Sequence, residues 1–249
     1  MSESNWWQDF FLGPYDAVQA GAGDPEKDRR QAAFIAKALE LQTGARVLDV
    51  PCGGGRIALE LAGAGHAVTG LDFNPKALER GKREAERRGL ALEWLAGDMR
   101  SLPWSAAFDA AFCWFGSFGY FEDAENAAFV REAAKVLKPG GRLLIEGHCV
   151  ETLLLKYQPR GWSECPGGGR ILEDRRWDHE RGRVVSEWIF VREGREERQT
   201  LSMRIYTYRE LAQLFRAAGL EPVAAYDTQS GAAFGAGSAR LSLVGRKGA

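Results

Sequence analysis

The sequence contains 249 residues, of which 45% are hydrophobic and 27% are charged, and its formal net charge is −1. This composition is typical of a globular protein that needs no disulfide or structural metal, and the balanced charge argues against a general attraction to nucleic acid or anionic membranes. No apolar run approaches the roughly 20 residues that span a bilayer. Because residues 1–7 also lack a signal-peptide pattern, we expect a cytoplasmic protein.

The four cysteines predict neither a metal site nor a disulfide framework. None of them forms a Cys-x-x-Cys pair, and none is spaced from a histidine as in a zinc finger. We therefore expect no bound metal and reduced thiols at Cys52, Cys113, Cys149 and Cys165.

Residues 1–44 are predicted to form an N-terminal segment ahead of the main domain. Residues 5–23 are rich in aromatic side chains, among them Tyr15, and end in glycines. A helix is predicted over residues 25–41, because Asp24 is a suitable N-cap and a proline follows it at the first helical position.

Residues 45–147 alternate between predicted strands and helices. The strands are predicted at 46–50, 67–71, 91–96, 108–112 and 142–146, and the helices begin at 57, 75 and 124. Such alternation with short connections predicts an α/β fold with a Rossmann-like, mostly parallel sheet and helices on both faces.

The pattern changes after residue 147. Period-two runs at 171–175, 184–190 and 200–206 are separated by turn-forming glycines, which predicts an antiparallel meander. We expect residues 160–206 to be a β-rich insertion that covers the active site of a domain spanning residues 45–249. The predicted domain is completed by a helix at 207–218 and strands at 220–226 and 239–244.

A glycine-rich turn follows the first predicted strand. The pattern Gly53-x-Gly55-x-x-Ala58 fits a dinucleotide-binding fingerprint, because glycines let the backbone approach a ligand at the carboxyl edge of a parallel sheet. Asp72 ends the second strand, where a ribose-binding acid is expected. This pattern alone is compatible with NAD, FAD or S-adenosylmethionine.

Two further acids favour S-adenosylmethionine. Asp49 lies just before the glycine turn, where a carboxylate would repel a pyrophosphate drawn to the helix N-terminus but would suit an amino group and a sulfonium. Asp98 follows the third strand, where it can accept a hydrogen bond from the adenine amino group. A capping or salt-bridged acid explains Asp49 equally well when it is taken alone. Three acids at successive strand ends favour a cofactor site.

Five motifs in order make residues 45–147 resemble the class I S-adenosylmethionine-dependent methyltransferases. They are Val47–Arg56, Gly70–Pro75, Gly97–Met99 with Leu102–Trp104, Phe108–Cys113 running into Trp114–Phe121, and Leu137–Leu144. The resemblance implies a seven-stranded sheet with an antiparallel last strand. More narrowly, the aromatic opening, the loop after the fourth strand and the meander resemble bacterial small-molecule methyltransferases near the glycine and sarcosine N-methyltransferase type.

The resemblance also implies which residues contact the cofactor. They are Asp49, Gly53 and Gly55 at the methionine part, Asp72 at the ribose, Phe73 and Met99 on either side of the adenine, Asp98 at its amino group, and Trp114 after the fourth strand. Pro51 departs from the family pattern, in which glycine is frequent, and proline offers no backbone N–H at that position.

The loop after the fourth strand is the predicted acceptor site, because donor and acceptor should meet at that edge of the sheet. The predicted acceptor-binding residues are Phe115, Ser117, Phe118 and Tyr120 of this loop, with Tyr15, Arg204 and Tyr206 from elsewhere. A core position explains any single ring equally well, and a sheet-face role is the plainer explanation of Arg204 and Tyr206.

No single catalytic residue is required, because the cofactor carries most of the reactivity and the protein mainly positions reactants and excludes water. His148, just after the fifth strand, is the candidate general base, and Tyr120 is the second candidate. A structural or exposed histidine is the alternative interpretation of His148.

The predicted function is methyl transfer from S-adenosylmethionine to nitrogen or oxygen of a small molecule, by a monomer or homodimer without nucleic-acid or membrane partners. Three alternatives are a nucleic-acid methyltransferase, an NAD(P)-dependent oxidoreductase and a non-catalytic binding protein. The sequence has no Asn/Asp-Pro-Pro-Tyr motif after the fourth strand, which argues against the first alternative. It also has no Tyr-x-x-x-Lys motif, which argues against the second.

Overall fold

The computed structural model of the chain describes residues 5–21, 23–166 and 168–248. Its helices are α1 (Trp6–Leu12), α2 (Pro14–Gly21), α3 (Pro25–Ala38), α4 (Arg56–Gly63), α5 (Pro75–Arg88), α6 (Asp123–Val136), α7 (Val150–Leu153) and α8 (Tyr208–Ala217). Its strands are β1 (Arg46–Asp49), β2 (Ala67–Asp72), β3 (Glu93–Ala96), β4 (Phe108–Cys113), β5 (Leu137–Gly147), β6 (Arg160–Glu164), β7 (Arg170–Asp178), β8 (Arg183–Arg192), β9 (Arg195–Arg204), β10 (Leu220–Asp227) and β11 (Leu241–Lys247).

The larger sheet has seven strands in the order β10-β11-β5-β4-β1-β2-β3. Strand β11 runs antiparallel to both of its neighbours, whereas the pairs formed among β1 to β5 are parallel. The predicted Rossmann-like sheet with an antiparallel last strand is therefore confirmed. The strand order reverses between β1 and β4, and such a reversal opens a ligand-binding crevice at the carboxyl ends of the strands.

Helices cover both faces of this sheet, because successive residues along a strand point to opposite sides. On one face Leu48 of β1 belongs to a buried cluster with Phe129 of α6 and Phe215 of α8. On the other face the adjacent Val47 is buried with Ile35 of α3 and with residues of α4. The predicted placement of helices on both faces is confirmed.

Two predicted helix starts are fixed by their caps. The Asp24 side chain accepts a hydrogen bond from the backbone N–H of Lys27 at 3.1 Å. The Asn74 side chain accepts from the backbone N–H groups of Lys76 at 3.0 Å and Ala77 at 3.2 Å. Because side-chain oxygens satisfy N–H groups that the first helical turn leaves free, both caps stabilise their helices locally.

The aromatic opening, for which the sequence predicted no regular element, forms α1 and α2. The ring of Trp7 is buried and lies 4.6 Å, edge to face, from that of Phe73 after β2. The ring of Phe10 lies 5.3 Å from that of Trp188 in β8. The N-terminal helices therefore pack against both the larger sheet and the meander.

The meander (residues 160–206) contains a four-stranded antiparallel sheet in the order β6-β7-β8-β9. The turns at Gly182 and Gly194 lie where the sequence predicts them, and both glycines have positive φ angles. Strand β6 was not predicted, because four of its five residues are polar or glycine and do not alternate in polarity. The meander is confirmed as an antiparallel element, with one strand more than the sequence indicated.

Arg183, the first residue of β8, connects the meander to the larger sheet. Its guanidinium is buried and donates hydrogen bonds to the backbone oxygens of Phe121 at 3.0 Å, Tyr120 at 3.3 Å and Ser202 at 2.8 Å. Burial lowers the pKa of Arg183, although the carboxylate of Glu122 opposes this effect. The loop after β4 is thus held directly by the base of the meander.

Replacing Arg183 with alanine is expected to destabilise the protein. The substitution leaves buried carbonyl groups without this donor, which should lower the free energy of unfolding by about 1–3 kcal/mol. The control is Arg176→Ala in β7, because Arg176 is exposed and its contact with Asp178 is 3.9 Å long. Its effect should stay within about 0.5 kcal/mol. Urea unfolding checks this, and equal stabilities of the two variants would contradict the role given to Arg183.

Within residues 5–21, 23–166 and 168–248, no helix is long and apolar enough to cross a membrane. The same residues contain no group of three or more histidine, cysteine, aspartate or glutamate side chains that could hold a metal ion. The four cysteines are free thiols.

Candidate active site

A cavity of about 910 Å³ lies at the carboxyl ends of β1, β2 and β4, where the strand order reverses. It is lined by the glycine turn and by Asp49 and Asp72. It is also lined by Tyr15 of α2, by Tyr120 in the loop after β4, and by Trp188 of the meander. The cavity therefore joins the predicted cofactor residues to part of the predicted acceptor site.

The two glycines of the fingerprint have different roles in this structure. Gly53 lines the cavity with φ +54°, and no atom lies within 4 Å of the position a Cβ would take. Gly55 caps α4 with φ +69°, and a Cβ there would overlap the ring of Trp94. Gly53 consequently leaves room for a ligand, whereas Gly55 allows the close packing that holds the turn in place.

Asp49 is buried beneath the turn, with 3% of its surface exposed. Burial raises the pKa of Asp49 well above its usual range; the Arg56 guanidinium opposes this effect and the nearby Asp72 adds to it. Two carboxylates buried close together form a site that favours a cation, because a positive ligand lowers the cost of keeping them ionised.

Asp72 orients the glycine turn and can still accept hydrogen bonds from a ligand. Its two carboxylate oxygens accept hydrogen bonds from the backbone N–H groups of Gly53 at 2.7 Å and Asn74 at 2.8 Å. Burial raises the pKa of Asp72, and these backbone hydrogen bonds counteract part of the shift. Because each oxygen has a second lone pair, the carboxylate can still accept two ribose hydroxyls.

Phe73, Asp98 and Met99 line the cavity next to Asp72, as the resemblance implies for an adenine site. The Asp98 carboxylate accepts hydrogen bonds from the Arg100 side chain at 2.6 Å and from its backbone N–H at 2.8 Å. Burial acts to raise the pKa of Asp98, but these hydrogen bonds outweigh it and the pKa is lowered. Asp98 is therefore held as a carboxylate that can accept from an amino group.

Arg56, which was not predicted as a site residue, lines the same cavity. Its Nη1 donates to Asp28 at 2.5 Å and to Gln31 at 2.6 Å, and its guanidinium lies 4.9 Å from the centre of the Phe115 ring. Its Nη2 is buried and makes no hydrogen bond among the described residues. The signal in the sequence was a cation placed directly after the glycine turn.

The cavity is also lined by aromatic rings from three parts of the chain. The ring of Tyr15 lies 5.6 Å from those of Trp188 and Phe11, and the ring of Phe11 lies 5.2 Å from that of Tyr120. Trp114, Phe115 and Ser117 also line the cavity. Burial raises the pKa of Tyr120, and its hydrogen bond with Ser117 opposes this only in part, so Tyr120 is a neutral hydroxyl rather than a base.

Three predicted acceptor residues, Phe118, Arg204 and Tyr206, do not line this cavity. The Phe118 ring stacks on that of Tyr206 at 5.4 Å. The Tyr206 hydroxyl donates to Asp123 at 2.8 Å, and Arg204 forms ion pairs with Asp123 and Glu210. These side chains connect the meander to α6 and α8, so the structure gives them a packing role.

His148 does not line the cavity either. Its Nε2 lies 3.0 Å from Nη1 of Arg240, and because arginine only donates, the neutral imidazole accepts this hydrogen bond. Burial lowers the pKa of His148 to about 4, and the neighbouring Arg240 and Lys156 lower it further. A nitrogen so weakly basic and already engaged is poorly placed to act as the predicted general base.

Comparisons with known proteins agree with this geometry. Residues 47–141 match the family described as a methyltransferase domain. The demethylmenaquinone methyltransferase of Thermus thermophilus is 43% identical over 103 residues, which are 40% of this chain and 46% of that protein. A putative methyltransferase of Geobacillus is 30% identical over 149 residues, 57% of this chain and 55% of that protein. The chain thus spans about half the length of these curated relatives.

Solved structures match over nearly the whole chain. The CcbJ methyltransferase of Streptomyces caelestis superposes with a TM-score of 0.82 at 23% identity and covers 100% of both chains. CalS10, an amino pentose methyltransferase of Micromonospora echinaspora solved with S-adenosylmethionine bound, has a TM-score of 0.69 at 25% identity, covering 94% of this chain and 97% of its own. Residues 47–141 thus match a methyltransferase domain, and the chain as a whole has the fold of S-adenosylmethionine-dependent methyltransferases.

The cavity of the methyltransferase domain fits S-adenosylmethionine. The open space at Gly53 admits the methionine part, and the free Nη2 of Arg56 offers a donor to its carboxylate. The buried carboxylate of Asp49 suits its positive charges, and Asp72 can accept the ribose hydroxyls. The individual contacts remain predictions.

If Asp49 binds the cofactor as a carboxylate, affinity should depend on pH. Because burial raises its pKa, Asp49 takes up a proton at a higher pH than an ordinary aspartate, and S-adenosylmethionine binding should weaken as the pH falls through that range. We expect Asp49→Asn to lose about 1.5–3 kcal/mol of binding free energy, or roughly 10- to 150-fold in affinity, and to show a flatter pH profile.

Isothermal titration with S-adenosylmethionine over a series of pH values measures this dependence. The control is Asp109→Asn, because Asp109 lies at the start of β4, at the opposite edge of the sheet, where it pairs with Lys138 at 2.6 Å. Equal affinities and parallel pH profiles for wild type and Asp49→Asn would rule out the assigned role.

Proposed function

We propose that this chain transfers the methyl group of S-adenosylmethionine to an amino nitrogen of a small-molecule acceptor. The observation that carries the proposal is that a single cavity is lined by the acids and glycines of the cofactor site and by the rings of Tyr15, Tyr120 and Trp188. Its volume, about 910 Å³, lies near the upper end of the range for small-ligand sites, so a cofactor and a small acceptor can share it.

The aromatic end of the cavity favours an amine. When bound, S-adenosylmethionine supplies an activated methyl group, and transfer moves the positive charge from sulfur to the acceptor nitrogen. The faces of Tyr15 and Trp188 attract such a cation by about 0.5–2 kcal/mol each. A surrounding of rings also favours the neutral amine before attack, because burial disfavours a charged one.

The chain contributes positioning and exclusion of water rather than a strong base. The hydroxyls of Tyr120 and Ser117 can orient the acceptor by hydrogen bonds, since both residues line the cavity. The nitrogen loses its extra proton after transfer, and bulk water can receive it. We therefore do not assign the role of general base to His148, whose pKa is about 4.

The meander is proposed to cover the acceptor. Ile171 of β7 and Trp188 of β8 line the same cavity as the glycine turn. An element that closes over the reactants keeps water from the methyl donor. Residues 45–249 would then act as one methyltransferase domain with the meander as its cover, and α1 and α2 would complete the wall.

Among the comparisons, the structural match to CalS10 supports an amine. CalS10, which is named as an amino pentose methyltransferase, matches 94% of this chain. The demethylmenaquinone methyltransferase matches only 40% of it, although its name, with that of a ubiquinone/menaquinone biosynthesis C-methyltransferase of Ruegeria, makes C-methylation of a quinone-type ring the second candidate. A flat apolar ring would also fit between aromatic side chains, so both classes belong in the same test.

The test is turnover on an acceptor panel containing a primary amino sugar, an amino acid amine, a hydroquinone, a phenol and a short DNA duplex. Formation of S-adenosylhomocysteine and the mass of the product measure transfer. We expect methylation of an amine and none of the duplex. Methylation of the hydroquinone or the duplex alone would contradict the proposal, and so would the absence of turnover on every acceptor.

Trp188→Ala should impair transfer without loosening the cofactor. Removing one aromatic face should lower kcat/KM for the amine roughly 2- to 30-fold, the equivalent of about 0.5–2 kcal/mol. S-adenosylmethionine affinity should change by less than about twofold, because Trp188 lies at the acceptor end. The matched control is Trp162→Ala in the same small sheet, since Trp162 is 63% exposed. Equal loss in both variants would refute the assignment.

A further inference from the structure

The acceptor loop (residues 114–121) has a strained backbone at the cavity. Phe115 has φ +63°, a conformation that bulky side chains rarely adopt, and its side chain is 52% exposed on the cavity wall. The next residue, Gly116, also has a positive φ of +71°. A bulky residue stays in such a conformation only when its surroundings hold it there.

Glu146, near the end of β5, holds the backbone at this point. Its side chain is 2% exposed, and one carboxylate oxygen accepts the backbone N–H of Gly116 at 3.1 Å. Arg240, just before β11, donates two hydrogen bonds to the same carboxylate, the longer of them at 3.2 Å. A buried carboxylate bound on both sides is fixed in place, and it fixes the amide that it accepts.

His148 supports this arrangement through a hydrogen bond with Arg240. Its Nε2 accepts a hydrogen bond from the remaining Nη1 of Arg240 at 3.0 Å. The guanidinium of Arg240 is thus held between Glu146 and His148, and a Cβ at Gly116 would approach Arg240 to 3.2 Å. The three side chains leave little freedom to the backbone at Gly116.

A hydrogen bond also fixes the acceptor loop at Gly119. The backbone N–H of Arg204 donates to the oxygen of Gly119 at 2.8 Å, and a Cβ at Gly119 would overlap the backbone of Arg204. Two anchors, one at Gly116 and one at Gly119, therefore bracket Ser117. Beyond them, the buried guanidinium of Arg183 holds the last two residues of the loop through the backbone oxygens of Tyr120 and Phe121.

We propose that Glu146, oriented by Arg240, is a positioning residue for methyl transfer: it holds the Gly116 amide and thereby keeps Phe115 and Ser117 at the acceptor end of the cavity. This inference rests on the proposed function. Its physical basis is that transfer between two bound molecules depends steeply on their alignment, so a small displacement of the wall lowers the rate more than the affinity.

Two variants of Glu146 separate its contributions. Glu146→Ala removes the side-chain acceptor and the partner of Arg240, and it leaves the Gly116 amide only the backbone oxygen of residue 146, which lies 3.3 Å away. Glu146→Gln keeps an oxygen for the Gly116 amide and removes only the charge. The matched control is Asp109→Ala, because the Asp109 carboxylate likewise accepts a backbone N–H, that of Arg46 at 2.8 Å, and pairs with a cation, but lies at the opposite edge of the sheet.

The first readout needs no acceptor. With S-adenosylhomocysteine bound, hydrogen exchange of the acceptor loop should accelerate about tenfold or more in Glu146→Ala, less in Glu146→Gln, and not in Asp109→Ala. The affinity for S-adenosylhomocysteine should change by less than about twofold in all three variants. Wild-type exchange rates in Glu146→Ala would overturn the proposal, whether or not the panel yields an acceptor.

The second readout uses the amine that the wild type methylates in the panel. Glu146→Ala should lower kcat about tenfold with an unchanged KM for S-adenosylmethionine, and Glu146→Gln should restore part of the rate. Equal kcat in Glu146→Ala and Asp109→Ala would overturn the positioning role. If Glu146→Ala does not fold, Arg240→Met, which leaves Glu146 in place, should show a smaller effect in the same direction. Unaltered exchange in Arg240→Met would then overturn the role given to Arg240.

A failure of the wild type on the whole panel would count against the proposed function, and the exchange experiment would still decide whether Glu146 holds the loop.

Discussion

The reversal of strand order between β1 and β4 is the constraint on which the site depends. It separates the helices that follow these strands onto opposite faces and leaves a crevice at their carboxyl ends. Asp49 and Asp72 end β1 and β2 inside that crevice and are largely removed from water. Burying two carboxylates close together costs free energy unless a cation or hydrogen-bond donors compensate. The crevice is therefore built for a positive ligand with hydroxyl groups and is unfavourable for a pyrophosphate.

The proposed acceptor site is assembled from parts of the chain that are far apart in sequence. Tyr15 comes from α2, Tyr120 from the loop after β4, and Trp188 from the meander. Arg183 joins two of these parts through the backbone oxygens of Tyr120 and Phe121. The geometry of the acceptor pocket is therefore set by long-range contacts, whereas that of the cofactor site is set by strand ends.

This difference explains what the sequence could predict. The caps at Asp24 and Asn74 are local interactions, so both helix starts were correct. Asp49, Asp72 and Asp98 were identified because the carboxyl ends of parallel strands meet at one edge of a sheet. Their presence together in one cavity follows from topology alone, although their contacts with a ligand remain predictions.

Several predicted site residues do not line the cavity, because their side-chain direction could not be predicted from the sequence. Phe118 of the acceptor loop stacks on Tyr206, and no local pattern indicates which rings of an aromatic loop face the cavity. Trp188 was not predicted because its place in the cavity depends on packing between distant elements, whereas Arg56 was not predicted although it directly follows the glycine turn. His148 follows a strand end, as a catalytic residue would, but it faces Arg240.

The central claim is that one cavity aligns S-adenosylmethionine with a small acceptor. A crystal structure with S-adenosylhomocysteine tests it most directly. The account requires both ribose hydroxyls within hydrogen-bonding distance of the Asp72 carboxylate and the sulfur directed toward Ser117 and Tyr120. A ribose bound away from Asp72, or a sulfur directed away from the aromatic end of the cavity, would contradict it.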